Sequence, residues 1–112
     1  MNSGLQAEQW AAQHLQQQGL ILVAQNYRSR FGEIDLIMQD KNVLVFVEVR
    51  LRKNSDFGGA AASIDHRKQQ RIILTAQHYI ATLKQPPLCR FDAVLINKID
   101  KKFEWLKNAF EA

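Results

Sequence analysis

With 112 residues, 46% hydrophobic content and a net charge of +4, the chain fits one globular domain, residues 1–112, far from the composition of disordered proteins. A single cysteine, Cys89, excludes an internal disulfide and a cysteine-based zinc cluster. The opening MNSGLQAEQWAAQHLQQQ has neither the basic nor the apolar region of a signal peptide, and no apolar run approaches the roughly 20 residues that span a bilayer, so a cytoplasmic protein off the membrane is expected.

A first helix is predicted from Leu5 to Gln18, capped by Ser3 and stopped by Gly19. Its apolar stripe is Leu5, Ala11, Ala12 and Leu15, and the helical period sets Glu8 at the centre of that stripe. A short strand follows at Leu20–Tyr27. Two more, Glu33–Met38 and Val43–Leu51, flank the polar turn QDKN and read as a β-hairpin. The segment NSDFGGAAAS reads as a loop, flexible at Gly58 and Gly59. A second helix spans Ile64–Leu83, with Ile72, Ile73, Ala76, Tyr79, Ile80 and Leu83 on its buried side, and Pro86 and Pro87 end the connection. RFDAVLI, residues 90 to 96, is a further strand, and 103–106 a last short one. The order αβββαβ predicts an α/β sandwich, a mixed central sheet flanked by helices, with the second helix crossing over from the hairpin.

Three carboxylates violate this pattern: Glu8 in the stripe, Asp35 between Ile34 and Leu36, and Glu48 between Val47 and Val49. Strand alternation puts Phe46, Glu48, Arg50 and Arg52 on one face of the third strand, and Val45, Val47, Val49 and Leu51 on the other, expected to be the better-buried side. A two-residue loop at Lys41 and Asn42 sets Asp35 directly across from Glu48, while a loop shifted by one residue pairs Asp35 with Phe46. Either register brings the two acids together on one face, and opposed like charges are destabilising. Two readings offset that repulsion. Salt bridges from Arg50, Arg28 or Arg30 are the plain one. A divalent cation is the other, since Mg²⁺ takes one or two carboxylates, waters and a substrate phosphate, and Glu8 would complete the cluster.

Cations gather in the middle of the chain, at Arg28, Arg30, Arg50, Arg52, Lys53, Arg67, Lys68 and Arg71. Such clustering suits a phosphate-bearing partner or a solvated face. Basic residues also crowd the start of the second helix, where the macrodipole disfavours them unless an anion is near. Sequences of the CxxC, HExxH or GxxxxGK(S/T) type do not occur. His14 and His78 are expected to cover helix surfaces, and Cys89 to be an inert packed thiol.

GxxxE at Gly4–Glu8, GEIDLI at 32–37, VFVEVR at 45–50, the Lys68 helix and RFDAV at 90–94 together resemble the YraN family. That family is assigned to the restriction-endonuclease-like, or PD-(D/E)xK, fold and is similar to archaeal Holliday-junction resolvases. The resemblance covers Gly4 to about Ile96 and implies roles position by position. Asp35 and Glu48 are implied metal ligands with the Val49 carbonyl, and Glu8 matches the helix-one acid of resolvase-like members. Arg50 stands where the superfamily has its signature lysine, and Lys68 is placed to supply an ammonium from the second helix. Arg52, Arg67, Lys68 and Arg71 are the expected nucleic-acid contacts. The resemblance thus implies a Mg²⁺- or Mn²⁺-dependent nuclease acting on DNA, branched or otherwise structured, and suggests a homodimer. Two alternatives remain beside it: a nucleic-acid-binding module that has lost cleavage, and a protein-interaction adaptor with a basic face.

Overall fold

The computed structural model describes residues 3–52 and 64–112; the expected NSDFGGAAAS loop lies outside the described residues. The elements are α1 (Ser3–Gln17), β1 (Ile21–Ser29), β2 (Gly32–Asp40), β3 (Val43–Arg52), α2 (His66–Ile80), β4 (Leu88–Asn97) and β5 (Phe103–Phe110). They build one mixed sheet in the order β1-β2-β3-β4-β5. β1, β2 and β3 form an antiparallel meander, α2 crosses over so that β4 runs parallel to β3, and β5 returns antiparallel on β4. This is the expected α/β arrangement, consistent with a restriction-endonuclease-like αβββαβ core.

Local chemistry explains the ends. Gly19 adopts φ +100°, a left-handed conformation open to glycine, and the Leu20 N–H closes onto the Leu15 carbonyl at 3.1 Å to finish α1. Ser3 is the first helical residue rather than the cap outside it. At α2 the Asp65 side chain accepts from the Lys68 N–H (2.8 Å), so the helix starts two residues later than the apolar pattern suggested. Lys41 and Asn42 turn the β2–β3 hairpin, with Lys41 at φ 56°.

Each face of the sheet carries its own core. Ile34, Ile37, Phe46, Phe91, Ala93 and Leu95 pack with Ile72, Ile73 and Ala76 of α2. Leu36, Met38, Val45, Val47, Val94 and Ile96 pack with Ala7, Ala11, Ala12 and Leu15 of α1. The expectation of a single better-buried face on β3 is therefore corrected: Phe46 and Val47 are equally inaccessible. A central strand covered on both sides reads as a continuous apolar run, VLVFV, which hides the alternation. Leu5, placed in the α1 stripe from sequence, is exposed, and Ala7 takes its place.

One buried acid ties the sheet together away from Glu8, Asp35 and Glu48. Asp92 is fully buried and accepts from Arg90 Nε (3.0 Å), Trp105 Nε1 (3.0 Å) and the Asn108 N–H (2.9 Å). Arg90 Nη2 also donates to Asp40 at 2.9 Å, joining β2, β4 and β5. Cys89, expected to be packed, is exposed at the start of β4.

Candidate functional site

The register Leu36↔Val47 and Ile37↔Phe46 continues the two-residue turn and sets Asp35 opposite Glu48. Pairing of β2 with β3 stops at Leu36↔Val47, and beyond it the strands are bridged by a side chain. The Val49 N–H donates to Asp35 Oδ2 at 2.8 Å. An aspartate thus fills the place of a strand carbonyl, which fixes its carboxylate in the seam between the two faces.

From that seam Asp35 meets an acid on each side. Glu48, only 5% exposed, projects to the α2 side, where Arg50 Nε lies 3.1 Å and Lys68 Nζ 3.7 Å from its Oε2. Burial, then the neighbouring Asp35 carboxylate, push the Glu48 carboxyl up to about 8, and Lys68 and Arg50 offset only part of this. Glu8 approaches from α1. Burial, then Asp35, raise it to about 7, while the Asn26 amide favours its charged form. Glu8 Oε1 is buried without a hydrogen-bond partner.

Carboxylate oxygens of Glu8, Glu33 and Asp35 lie within 4.8 Å of one another. They line a cleft of about 440 Å³ with Gly4, Leu5, Asn26 and Arg28. Glu48 stands outside this triangle and adjoins it at Asp35. Sequence reasoning missed Glu33 and Asn26. Glu33 sits two residues before Asp35, the strand spacing for a shared side, and pairs with Arg28 at 3.2 Å. Asn26 adopts φ 53°, a conformation asparagine tolerates better than its β1 neighbours do.

The expected basic residues divide according to what they meet. Lys68 and Arg50 reach Glu48. Arg71 is exposed beside the β1–β2 turn, its Cβ 3.4 Å from where a Gly32 Cβ would stand, and Arg67 is exposed on the first turn of α2. Arg52 instead pairs with Glu104 of β5 at 3.0 Å. Arg28 and Arg30, considered as partners for Asp35, bind Glu33 and stack on Phe31 respectively. His14 stacks on Phe103, and His78 Nδ1 meets the Tyr27 hydroxyl at 2.7 Å.

Fold and site together define an α/β domain with a restriction-endonuclease-like core and a cluster of acids at the point where β2 and β3 separate. The chain belongs to Uncharacterised protein family UPF0102, whose model matches residues 7–96, as the resemblance to the YraN family implied. It is 56% identical over 110 residues to a UPF0102 protein of Psychromonas ingrahamii, covering 98% of this chain and 90% of that one. A UPF0102 protein of Nitrosomonas europaea is also 56% identical, over 111 residues, 98% of this chain and 94% of the relative. Among the described residues no helix is long and apolar enough to cross a membrane.

Proposed function

We propose that this domain is a divalent-metal-dependent nuclease acting on DNA, with its ion seated on Asp35. The observation that carries the reading is the convergence of Glu8 and Glu48 on that one aspartate, each raised above the carboxylate range by burial and by Asp35. Violations of local sequence rules concentrate at functional sites. The donor set fits the ion: every group is an oxygen, carboxylate or carbonyl, suited to Mg²⁺ or Mn²⁺, and the buried Glu8 Oε1 has no hydrogen-bond partner.

Asp35 would hold the ion with Glu8 and Glu33 on the cleft side. Glu48 and the Val49 carbonyl, the further ligands that the family resemblance implies, would complete its shell from across Asp35. Bound there, the ion supplies charge neutralisation for in-line displacement at a backbone phosphate. The Asp35–Val49 hydrogen bond holds the ligand at one orientation before substrate arrives. Arg50 serves as a fixed cation, since a guanidinium with pKa above about 12 cannot shuttle a proton. Lys68 brings an ammonium to the same carboxylate from α2, and Arg67 and Arg71 extend positive charge along the approach. Arg52 contributes to binding only if it leaves Glu104.

The test is cleavage of single-stranded, duplex and branched DNA with Mg²⁺ and Mn²⁺. Glu48→Gln should abolish cleavage and leave binding, whereas Arg50→Lys should preserve or raise it. A wild type that neither cleaves nor gains thermal stability from either metal overturns the metal reading. Arg50 in the lysine's position favours a second reading, a DNA-binding module without cleavage, and activity appearing in Arg50→Lys alone would establish it.

A further inference from the structure

The β1–β2 turn, residues 29 to 32, stands next to the acidic cleft and is tied to α2. Phe31 is half-buried there, with the guanidinium of exposed Arg30 stacked over its ring at 4.9 Å from the centroid. The tip is pinned from below. Ser29 Oγ accepts from the Phe31 N–H at 3.1 Å and meets Thr75 Oγ1 at 3.0 Å. Thr75 in turn donates to the Arg71 carbonyl, and Arg71 Cβ fills the space over Gly32. Two residues 46 positions apart thereby tie the backbone that carries the ring to α2. A turn that served only to connect β1 to β2 would need none of this.

Position gives the ring its meaning. Glu33 follows Phe31 by two residues and is a member of the acidic triangle. Arg28 at the end of β1 pairs with Glu33, and Arg71 of α2 stands beside Gly32, the residue after the ring. A planar stack bordered by cations is the arrangement on which nucleic-acid strands lay unpaired bases. Aromatic faces and guanidinium planes both stack with bases, while the surrounding charges follow the phosphates. A base inside continuous duplex has both faces covered by its neighbours and cannot use such a platform.

We propose that Arg30 and Phe31 form a stacking platform for an unpaired base of the bound strand, so that the site selects DNA with unpaired nucleotides over continuous duplex. This deepens the nuclease reading and rests on it for the position of the scissile phosphate. Cleavage would fall within a few nucleotides of the unpaired base, because the ring and the acids are joined by two residues of extended chain.

Binding measured in EDTA separates the two claims. Fluorescence anisotropy with labelled oligo-dT and with a hairpin-closed duplex should show wild type binding both, each more weakly as salt rises. Phe31→Leu keeps an apolar side chain without a π face. It should weaken oligo-dT binding roughly 5- to 100-fold, leave duplex affinity within twofold, and leave the salt slope on both unchanged. Arg30→Gln should weaken oligo-dT binding and also lower its salt slope by up to about 0.7. Phe31→Trp keeps the stacking face, and its tip indole should be quenched by oligo-dT and not by duplex, relative to the wild-type signal from Trp10 and Trp105. Equal oligo-dT affinity in wild type and Phe31→Leu, or no quenching of Phe31→Trp, overturns the platform and leaves the nuclease reading standing. Wild type that binds neither DNA overturns both.

Discussion

Glu48→Gln in the metal-free protein measures how the site spends stability. Glu48 has two cations within 4 Å, so a plain salt-bridge view makes its carboxylate a stabilising group. Its raised pKa says the reverse: burial and Asp35 outweigh Arg50 and Lys68. A carboxyl moved from an ordinary 4.5 to about 8 keeps its proton in the folded state after the unfolded chain has lost it. The folded state then binds more protons between those limits, and stability falls as pH rises through the window, by at most about 1.4 kcal/mol per pH unit. The full span amounts to on the order of 5 kcal/mol as an upper bound. A Gln side chain is neutral throughout and can donate to Asp35 as protonated Glu48 does. Urea denaturation in EDTA should therefore find Glu48→Gln close to wild type at pH 5 and more stable by a few kcal/mol at pH 9. Glu8, raised to about 7 and half-buried, leaves a shallower slope of the same sign in the variant. Saturating Mn²⁺ should flatten the wild-type slope, because the ion displaces the proton. A Glu48→Gln protein less stable than wild type at pH 9 would refute the reasoning and make Glu48 the anchor of Arg50 and Lys68.

Asp35→Asn keeps an oxygen to accept from the Val49 N–H, so its melting temperature in EDTA should equal or exceed that of wild type, while the rise induced by Mn²⁺ disappears in differential scanning calorimetry. Asp92→Ala should behave oppositely, losing about 3–5 kcal/mol in denaturant titration whatever the metal, because its partners Arg90 and Trp105 are stranded. Replacing Arg67, Lys68 and Arg71 together by Ala should weaken DNA binding and lower the salt slope by about 0.9 for each phosphate that the protein no longer neutralises, read by anisotropy at several salt concentrations. A wild type with no salt-dependent binding would favour the adaptor with a basic face.

What the sequence disclosed, and what it hid, follows from the range of the interactions concerned. Lys41 and Asn42 lie between two apolar runs, so the hairpin register and the opposition of Asp35 to Glu48 could be read locally. The 3.6-residue period likewise turned Glu8 inward. Other features depend on partners far along the chain. That both faces of β3 are buried requires knowing that α1 and α2 land on opposite sides. The insertion of Asp35 between strands depends on where β2–β3 pairing ends, and no residue type marks that point. Asp92 passed as an ordinary strand residue, for its donors Trp105 and Asn108 come from β5, an element predicted at half its observed length. Glu33 stands in GEID, but its part in the cluster depends on Arg28 and Glu8, which only the fold brings beside it.

The distribution of charge around Asp35 supplies the last step. Four acids meet here, and their cations stand at the margins: Arg28 on Glu33, Arg50 and Lys68 on Glu48. Among the ion pairs of the described residues none reaches Glu8 or Asp35. The cluster is therefore neutralised at its edges and left negative at its centre, with one buried oxygen of Glu8 unbonded. Surface pairs arranged for stability alone would place a cation between the two closest acids, where repulsion is largest. Here a backbone N–H braces Asp35, and burial and mutual repulsion raise the pKa values of Glu8 and Glu48 beside it, a cost that a divalent ion would relieve. On the proposed reading, a divalent ion would fill that centre, and the cations kept at its edges, Arg28, Arg50 and Lys68, would stand beside the phosphate it meets.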